Sequence, residues 1–249
     1  MSNCLFLRPG NRSLNILDVL IASTIDAFKL LFSGNTEIWE IVAISFRVSS
    51  LAILFAIPPA LIIAFVLAYG NFFGRRFLIS LFSTFLSIPA VVIGLTLFII
   101  LSRQGPMGDM GLLFTQTAMI MGQFLLSLPI LVAMAHNSFQ AADRRAWETA
   151  RTLGAKRIYA FFTVVYEIRF GLMAAMLAAY GRIISEVGAS MMLGGNIAHY
   201  TRNIPTAIAL ETSKGNFAEG IALGVVLLFL AFILNALLHH VQGKGSINP

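Results

Sequence analysis

One cysteine, Cys4, stands in 249 residues, so no disulfide can close within the chain and no cysteine-rich metal site can form. Charge is scarce as well: 17 basic and 11 acidic side chains amount to 11% of the sequence, against 58% hydrophobic residues and a mean hydropathy of +0.85. Soluble domains carry about a quarter charged residues, and that class is excluded. Also missing is a Gly-x4-Gly-Lys-Ser/Thr phosphate loop, Gly243-Lys244-Gly245-Ser246 being far from it, so ATP hydrolysis is expected on another chain. His136, His199 and the pair His239-His240 have no carboxylate or cysteine partner at metal-ligand spacing, so no metal and no cofactor is expected here. Leu5-Phe6-Leu7, cut off by Arg8-Pro9-Gly10, is too short for the apolar region of a secretory signal. The net charge of +6 would suggest nucleic acid in a soluble protein, but the basic residues cluster between apolar runs, which points to a membrane.

Those apolar runs are what the sequence has in quantity. A transmembrane helix needs about 20 mainly apolar residues. Five stretches qualify: Ile41–Tyr69, Phe77–Ser102, Leu112–Ala142, Phe170–Leu193 and Ile221–Val241. Pro58-Pro59, Pro89 and Pro129 fall inside them and read as kinks, since neighbouring helices can satisfy the freed backbone in a membrane. Residues 14–33 carry Asp18, Asp26 and Lys29 in a polar stripe against Leu17, Leu20, Ile21, Phe28 and Leu31. They read as an amphipathic helix in the interface or on the bundle, with a sixth span as the alternative. Loop charge sets the orientation. Arg75-Arg76, the basic residues of 143–157 and Lys244 fall on one side, which the positive-inside rule makes cytoplasmic together with the C-terminus. The side of the N-terminus stays open.

Residues 143–157 form the one dense charge island, with Asp143, Arg144, Arg145, Glu148, Arg151, Lys156 and Arg157. A short helix starting near Asp143 would present Glu148, Ala150, Arg151 and Leu153 away from the bilayer, and Gly154 would end it in the left-handed conformation. An ordinary basic loop would show the same charges, and the spacing is what argues for a docking helix. Glu148-Thr149-Ala150, then Gly154, then nine residues before Val164 resembles the coupling-loop signature of ABC-importer permeases, Glu-Ala-Ala-x3-Gly-x9-Ile-x-Leu-Pro. The match fails at Tyr166-Glu167, where the family usually has Leu-Pro.

A second constellation lies in the fourth apolar run. Arg182 and Glu186, four apart, would share one helix face and pair, either as a structural ion pair or as a wall of a translocation path. Ser185, Gly188 and Ala189 around them are small enough for close helix packing. Farther on come Gly194-Gly195-Asn196-Ile197 and Thr201-Arg202-Asn203-Ile204-Pro205, where Asn196 and Arg202 are candidates for an external gate or dock. Arg-x-x-Ser-Glu-x-Gly-Ala, Asn-Ile and Thr-Arg-x-Ile-Pro together resemble the molybdate/tungstate/sulfate branch of ABC permeases. With Met191-Met192 and Ala207–Gly215 added, the string is most similar to the tungstate permeases.

The resemblance, over about residues 37–241, implies an all-α integral membrane protein of the type I ABC-importer permease fold. It has five core spans, or six if residues 14–33 cross, plus the N-terminal amphipathic helix. Residues 1–36 would be tail and amphipathic helix, 37–241 the permease domain with coupling loop 142–157, and 242–249 a cytoplasmic tail. It further implies a homodimer in a prokaryotic inner membrane, a separate ATP-binding subunit, an extracytoplasmic oxyanion-binding protein and import of tungstate. Molybdate or sulfate import is the alternative within the class. A membrane-embedded enzyme is the alternative outside it, with only Arg182 and Glu186 to carry chemistry.

Overall fold

The computed structural model describes residues 24–25, 36–142 and 144–242. The expected amphipathic helix over 14–33 (apart from Thr24 and Ile25), Asp143 and the tail from 243 lie outside the described residues. Every regular element among the described residues is helical. In order they are α1 (Thr36–Tyr69), α2 (Arg75–Phe85), α3 (Ala90–Leu101), α4 (Gln116–Ala141), α5 (Arg144–Thr152), α6 (Arg157–Glu167), α7 (Arg169–Ile184), α8 (Gly188–Gly194), α9 (Ile204–Lys214) and α10 (Phe217–Gln242).

The centre is a pair of long helices, α1 and α4, each apolar and long enough to cross a bilayer. They run parallel. Both start near the segment 199–202, where Glu40 meets His199 and Gln116 meets the Tyr200 carbonyl, and both end beside Trp147 and Phe161. Ala52, Ala56, Ala60, Ala64 and Ala68 recur every fourth residue along α1 and are all buried. Small residues at that spacing let backbones approach closely, the usual glue between helices where lipid removes the hydrophobic drive. Leu126, Leu131 and Val132 of α4 and Ala175, Ala179 and Ile183 of α7 complete this core. Pro58-Pro59 and Pro129 stay inside continuous helices.

Pro89 does not. The expected span Phe77–Ser102 is two helices, α2 and α3, at 98° to each other. Proline lacks an N–H and holds the preceding residue out of the α region. The chain before it closes in tight turns, Ser87 N–H to the Thr84 carbonyl and Ile88 N–H to that of Phe85, and α3 restarts at Ala90. What fixes the corner is a contact far along the chain: a Cβ on Gly94 would lie 2.9 Å from the Ala189 Cα, so α3 rests directly on α8. The expected span Phe170–Leu193 is likewise divided, into α7 and α8, and α6 meets α7 at a 73° bend. Helix α10 covers the fifth expected run and folds back on α9. There Gly220 makes close packing, an added Cβ falling 3.2 Å from Thr212 Oγ1, while Gly224 faces open space.

Candidate functional site

Helix α5 projects from the end of the bundle where α1 and α4 finish. Its end is fixed by Gly154 at φ 83°, a backbone conformation that costs other residues about 1–2 kcal/mol. The Gly154 N–H donates to the Arg151 carbonyl at 3.1 Å and the Ala155 N–H to the Ala150 carbonyl at 3.0 Å, the paired bonds of a Schellman end. Arg151 Nη1 adds a 2.9 Å bond to the Ala155 carbonyl. Glu148, Thr149, Arg151 and Leu153 are exposed and Ala150 is half-buried, the surface the spacing implies; Leu153 is 82% exposed, a large apolar side chain without cover in the described structure.

Trp147, on the same helix, turns inward. Its ring lies 5.2 Å from Phe65 and 5.6 Å from Tyr69 at the end of α1, and Phe65 also touches Phe139 of α4 and Phe161 of α6. Such ring pairs contribute about 0.5–1.5 kcal/mol each beyond burial, so one aromatic cluster packs α5 against α1 and joins α1 to α4 and α6. Sequence reasoning passed over Trp147 as one more member of a charged loop. An indole between charges was the available signal, but its partners lie some eighty positions earlier.

Arg182 and Glu186 do pair, Nη1 to Oε2 at 2.6 Å, but not on one helix face. Helix α7 ends at Ile184, Ser185 is its C-cap, and Glu186 sits in the corner before α8. Its other oxygen accepts the Gly188 N–H at 2.9 Å, supplying one of the bonds that a helix N-terminus leaves unmade. The carboxylate thus serves two helices at once, which favours the break over a continuous span. Glu186 is 8% exposed, whereas the Arg182 side chain is 47% exposed in the single chain. The two corners nest: a Cβ on Gly188 would fall 2.6 Å from Val91 Cγ2, two residues past Pro89.

The segment after α8, which holds the gate-or-dock candidates Asn196 and Arg202, is half buried. Asn203 and Thr206 form a reciprocal capping box at the start of α9, and Ile204 N–H donates to Ser45 Oγ on α1 at 2.8 Å. Thr201 donates to the Gly194 carbonyl. Thr201, Asn203 and Thr206 are buried, and each side chain hydrogen-bonds to the nearby backbone, which has no regular ladder of its own here. Arg202 is half-buried and lies 3.5 Å from Glu37, and Asn196, at φ 51°, keeps its Oδ1 buried without a hydrogen bond. Only 195 and 197–200 are open to solvent in this stretch. No group of three or more metal-binding side chains gathers among the described residues.

His199 closes the segment onto α1, its Nδ1 2.6 Å from Glu40 Oε2. The hydrogen bond and charge of Glu40 raise the imidazole pKa above its ordinary value; Glu37 adds to this and Arg202 opposes it. A raised pKa means the clasp is complete below about pH 6.5 and is lost as pH rises through the raised value. An NMR titration of His199 should therefore give a pKa above the free-imidazole range in the wild type and a return toward about 6.5 in Glu40→Gln. Identical titrations would show that the clasp does not form in solution.

The family described as "Binding-protein-dependent transport system inner membrane component" matches residues 51–244. The tungstate uptake system permease protein TupB of Campylobacter jejuni is 38% identical over 226 residues, 91% of this chain and 95% of that one. The molybdenum transport system permease protein ModB of Escherichia coli K12 is 29% identical over 78% of this chain and 89% of its own. In fold, a bacterial alginate ABC transporter solved in complex with its alginate pentasaccharide-bound periplasmic protein matches with a TM-score of 0.73, at 16% identity, over 94% of this chain and 91% of that one. Apolar helices in this arrangement define a multi-pass membrane permease of the ABC-importer type. The chain belongs to the binding-protein-dependent transport system inner membrane component family.

Proposed function

We propose that this chain is the membrane-spanning subunit of an ATP-driven importer of tungstate, two copies of which enclose the translocation pathway. The observation that carries the transport mechanism is α5: an exposed, glycine-terminated helix whose one aromatic, half-buried, is packed against the end of the long helix α1. Such a helix is suited to take a displacement from a separate ATPase through Glu148, Ala150, Leu153 and Gly154 and pass it to the bundle. Tungstate is supported by the likeness to the Campylobacter permease, closer in identity and coverage than that to the Escherichia coli molybdenum permease. A binding protein outside is supported by the family's description and by the periplasmic protein bound in the alginate complex.

In this reading α5 and the C-terminus are cytoplasmic and the 195–203 segment faces outward. Asn196 and Arg202 shape the outer segment, where the binding protein docks, and Arg182 with Glu186 sits at the corner between α7 and α8 beside the path. The ATPases bias the bundle between two states by contacting α5 differently in each. Reconstituted with its ATPase and binding protein in vesicles, the complex should accumulate tungstate only with ATP, and in preference to molybdate and sulfate. Preferential uptake of molybdate or sulfate would replace the substrate, and uptake without ATP would replace the mechanism.

Sidedness has its own check. Single cysteines at Ala198 and Tyr200, both exposed, should react with impermeant thiol reagents applied outside, and less once the binding protein is present. A cysteine at Thr206, fully buried, should stay unreactive from either side. Labelling of the first two from the cytoplasm alone would invert the topology.

A further inference from the structure

An apolar cleft between α1, α4 and the α6–α7 bend takes no part in the coupling end, the Arg182–Glu186 corner or the outer segment. It measures about 250 Å³, and Ile57, Leu61, Leu131, Met173 and Met176 are among its lining residues. Its one charged lining residue is Arg169, at the first position of α7.

Arg169 is exposed, and among the described residues no carboxylate lies within ion-pair distance of it. Of its five N–H groups one donates to the Tyr166 carbonyl at 3.0 Å. Its guanidinium stands 4.3 Å from the Tyr166 ring centroid and 4.5 Å from that of Phe170. The preceding helix is amphipathic along its length: Ile158, Tyr159, Phe162 and Tyr166 are exposed at helical spacing, with Arg157 at its start. A helix rich in aromatic residues, with Arg157 at its start and an exposed Glu167 at its end, bent 73° from an apolar helix that enters the bilayer, is suited to the headgroup level. Arg169 is at that bend. The cleft below it is apolar, and the cation above it has donors to spare and no anion.

We propose that the cleft holds an acyl chain of one anionic phospholipid, with its phosphate on Arg169. The alkyl chain fills a slot that water would occupy without hydrogen-bond partners, and the phosphate supplies the charge and acceptors that Arg169 lacks. Because the slot is walled by α1, α4 and the start of α7, the lipid ties the span α7 to the central pair next to the aromatic box under α5. Membrane insertion is all that the site requires. Only the leaflet, cytoplasmic under the sidedness proposed above, rests on that reading, and tungstate enters neither measurement below.

The purified intact permease, titrated in non-ionic detergent with dioleoyl-phosphatidylglycerol or dioleoyl-phosphatidylcholine, can be read by native mass spectrometry. The anionic lipid should be retained about fivefold more tightly than the zwitterionic one, the effect of one cation on an anionic headgroup. Arg169→Gln should abolish the difference and Arg169→Lys should keep most of it, while Met176→Trp, which fills the slot, should weaken both lipids. A photoreactive benzoylphenylalanine at Met176, with Arg169 intact, should cross-link phospholipid in native membranes. Equal retention of the two lipids by the wild type and Arg169→Gln would overturn the proposal. So would a Met176 cross-link to residues 1–35 of this chain or to a second copy, which would show that protein covers the cleft.

Discussion

Replacing Gly154 by leucine should reduce ATP-driven uptake about tenfold while the protein still accumulates in the membrane. The glycine is at φ 83° with open space around it, so the cost of a side chain is backbone strain and not a clash. That strain is about 1–2 kcal/mol, enough to shift a two-state helix end by roughly a factor of ten. The Schellman bonds of Gly154 and Ala155 would open, and Leu153 and Glu148 would leave the positions proposed for ATPase contact. The aromatic box around Trp147 lies on the opposite side of α5 and should keep the subunit folded. Gly154→Asn is the informative control, since asparagine enters the left-handed region several-fold more readily than leucine, and it should recover much of the loss. Uptake at wild-type rates by both Gly154→Leu and Glu148→Ala would remove α5 as the coupling element.

The second large effect is expected at Arg182. Alanine there leaves the Glu186 carboxylate, 8% exposed, with the Gly188 N–H as its one remaining hydrogen-bond partner. An unpaired carboxylate within a membrane costs about 2.5–3.5 kcal/mol on insertion scales, so Arg182→Ala should lower both the amount of folded protein and its uptake. Glu186→Gln removes the charge but keeps an oxygen for Gly188, leaving Arg182 half-exposed and unpaired. That variant should fold almost normally and alter turnover. The double variant should regain much of the folding lost by Arg182→Ala, because no lone charge remains. Wild-type expression and uptake by Arg182→Ala would show that the arginine is neither a structural partner nor a pathway group.

Sequence patterning reached the elements whose causes are local. The long runs of α1 and α4 and the left-handed turn at Gly154 need no distant partner, and each is where its residues indicate. Partners far along the chain decide the rest. Pro58-Pro59 and Pro129 leave their helices intact, whereas Pro89 ends one, and nothing in its own neighbourhood separates the cases. What accompanies the break is Gly94 resting on Ala189, ninety-five positions away. The Arg182–Glu186 pairing was legible from a spacing of four. The helix break between them was not, because it depends on Glu186 serving the Gly188 N–H as well. Likewise the gate-or-dock candidates Asn196 and Arg202 came from residue type and position alone, and the burial of Thr201, Asn203 and Thr206 beside them depends in part on Ser45 of α1, which accepts the Ile204 N–H. Of the proposed coupling surface, the exposed face was readable from the motif, but the inward Trp147 was not, since Phe65 and Tyr69 belong to a different apolar run.

The alanine seam along α1 has a consequence for how such a bundle holds together. Leucine and methionine lose rotamer freedom when they are buried, roughly 0.5–2 kcal/mol each, whereas alanine has none to lose. Ala52, Ala56, Ala60, Ala64 and Ala68 therefore close the α1 interface without freezing a single side-chain torsion of their own. In water such small groups would bring little burial energy. Between lipid tails, where every alternative contact is equally apolar, the dispersion of two backbones at close range is what remains, and the seam gains it with no side-chain entropy set against it.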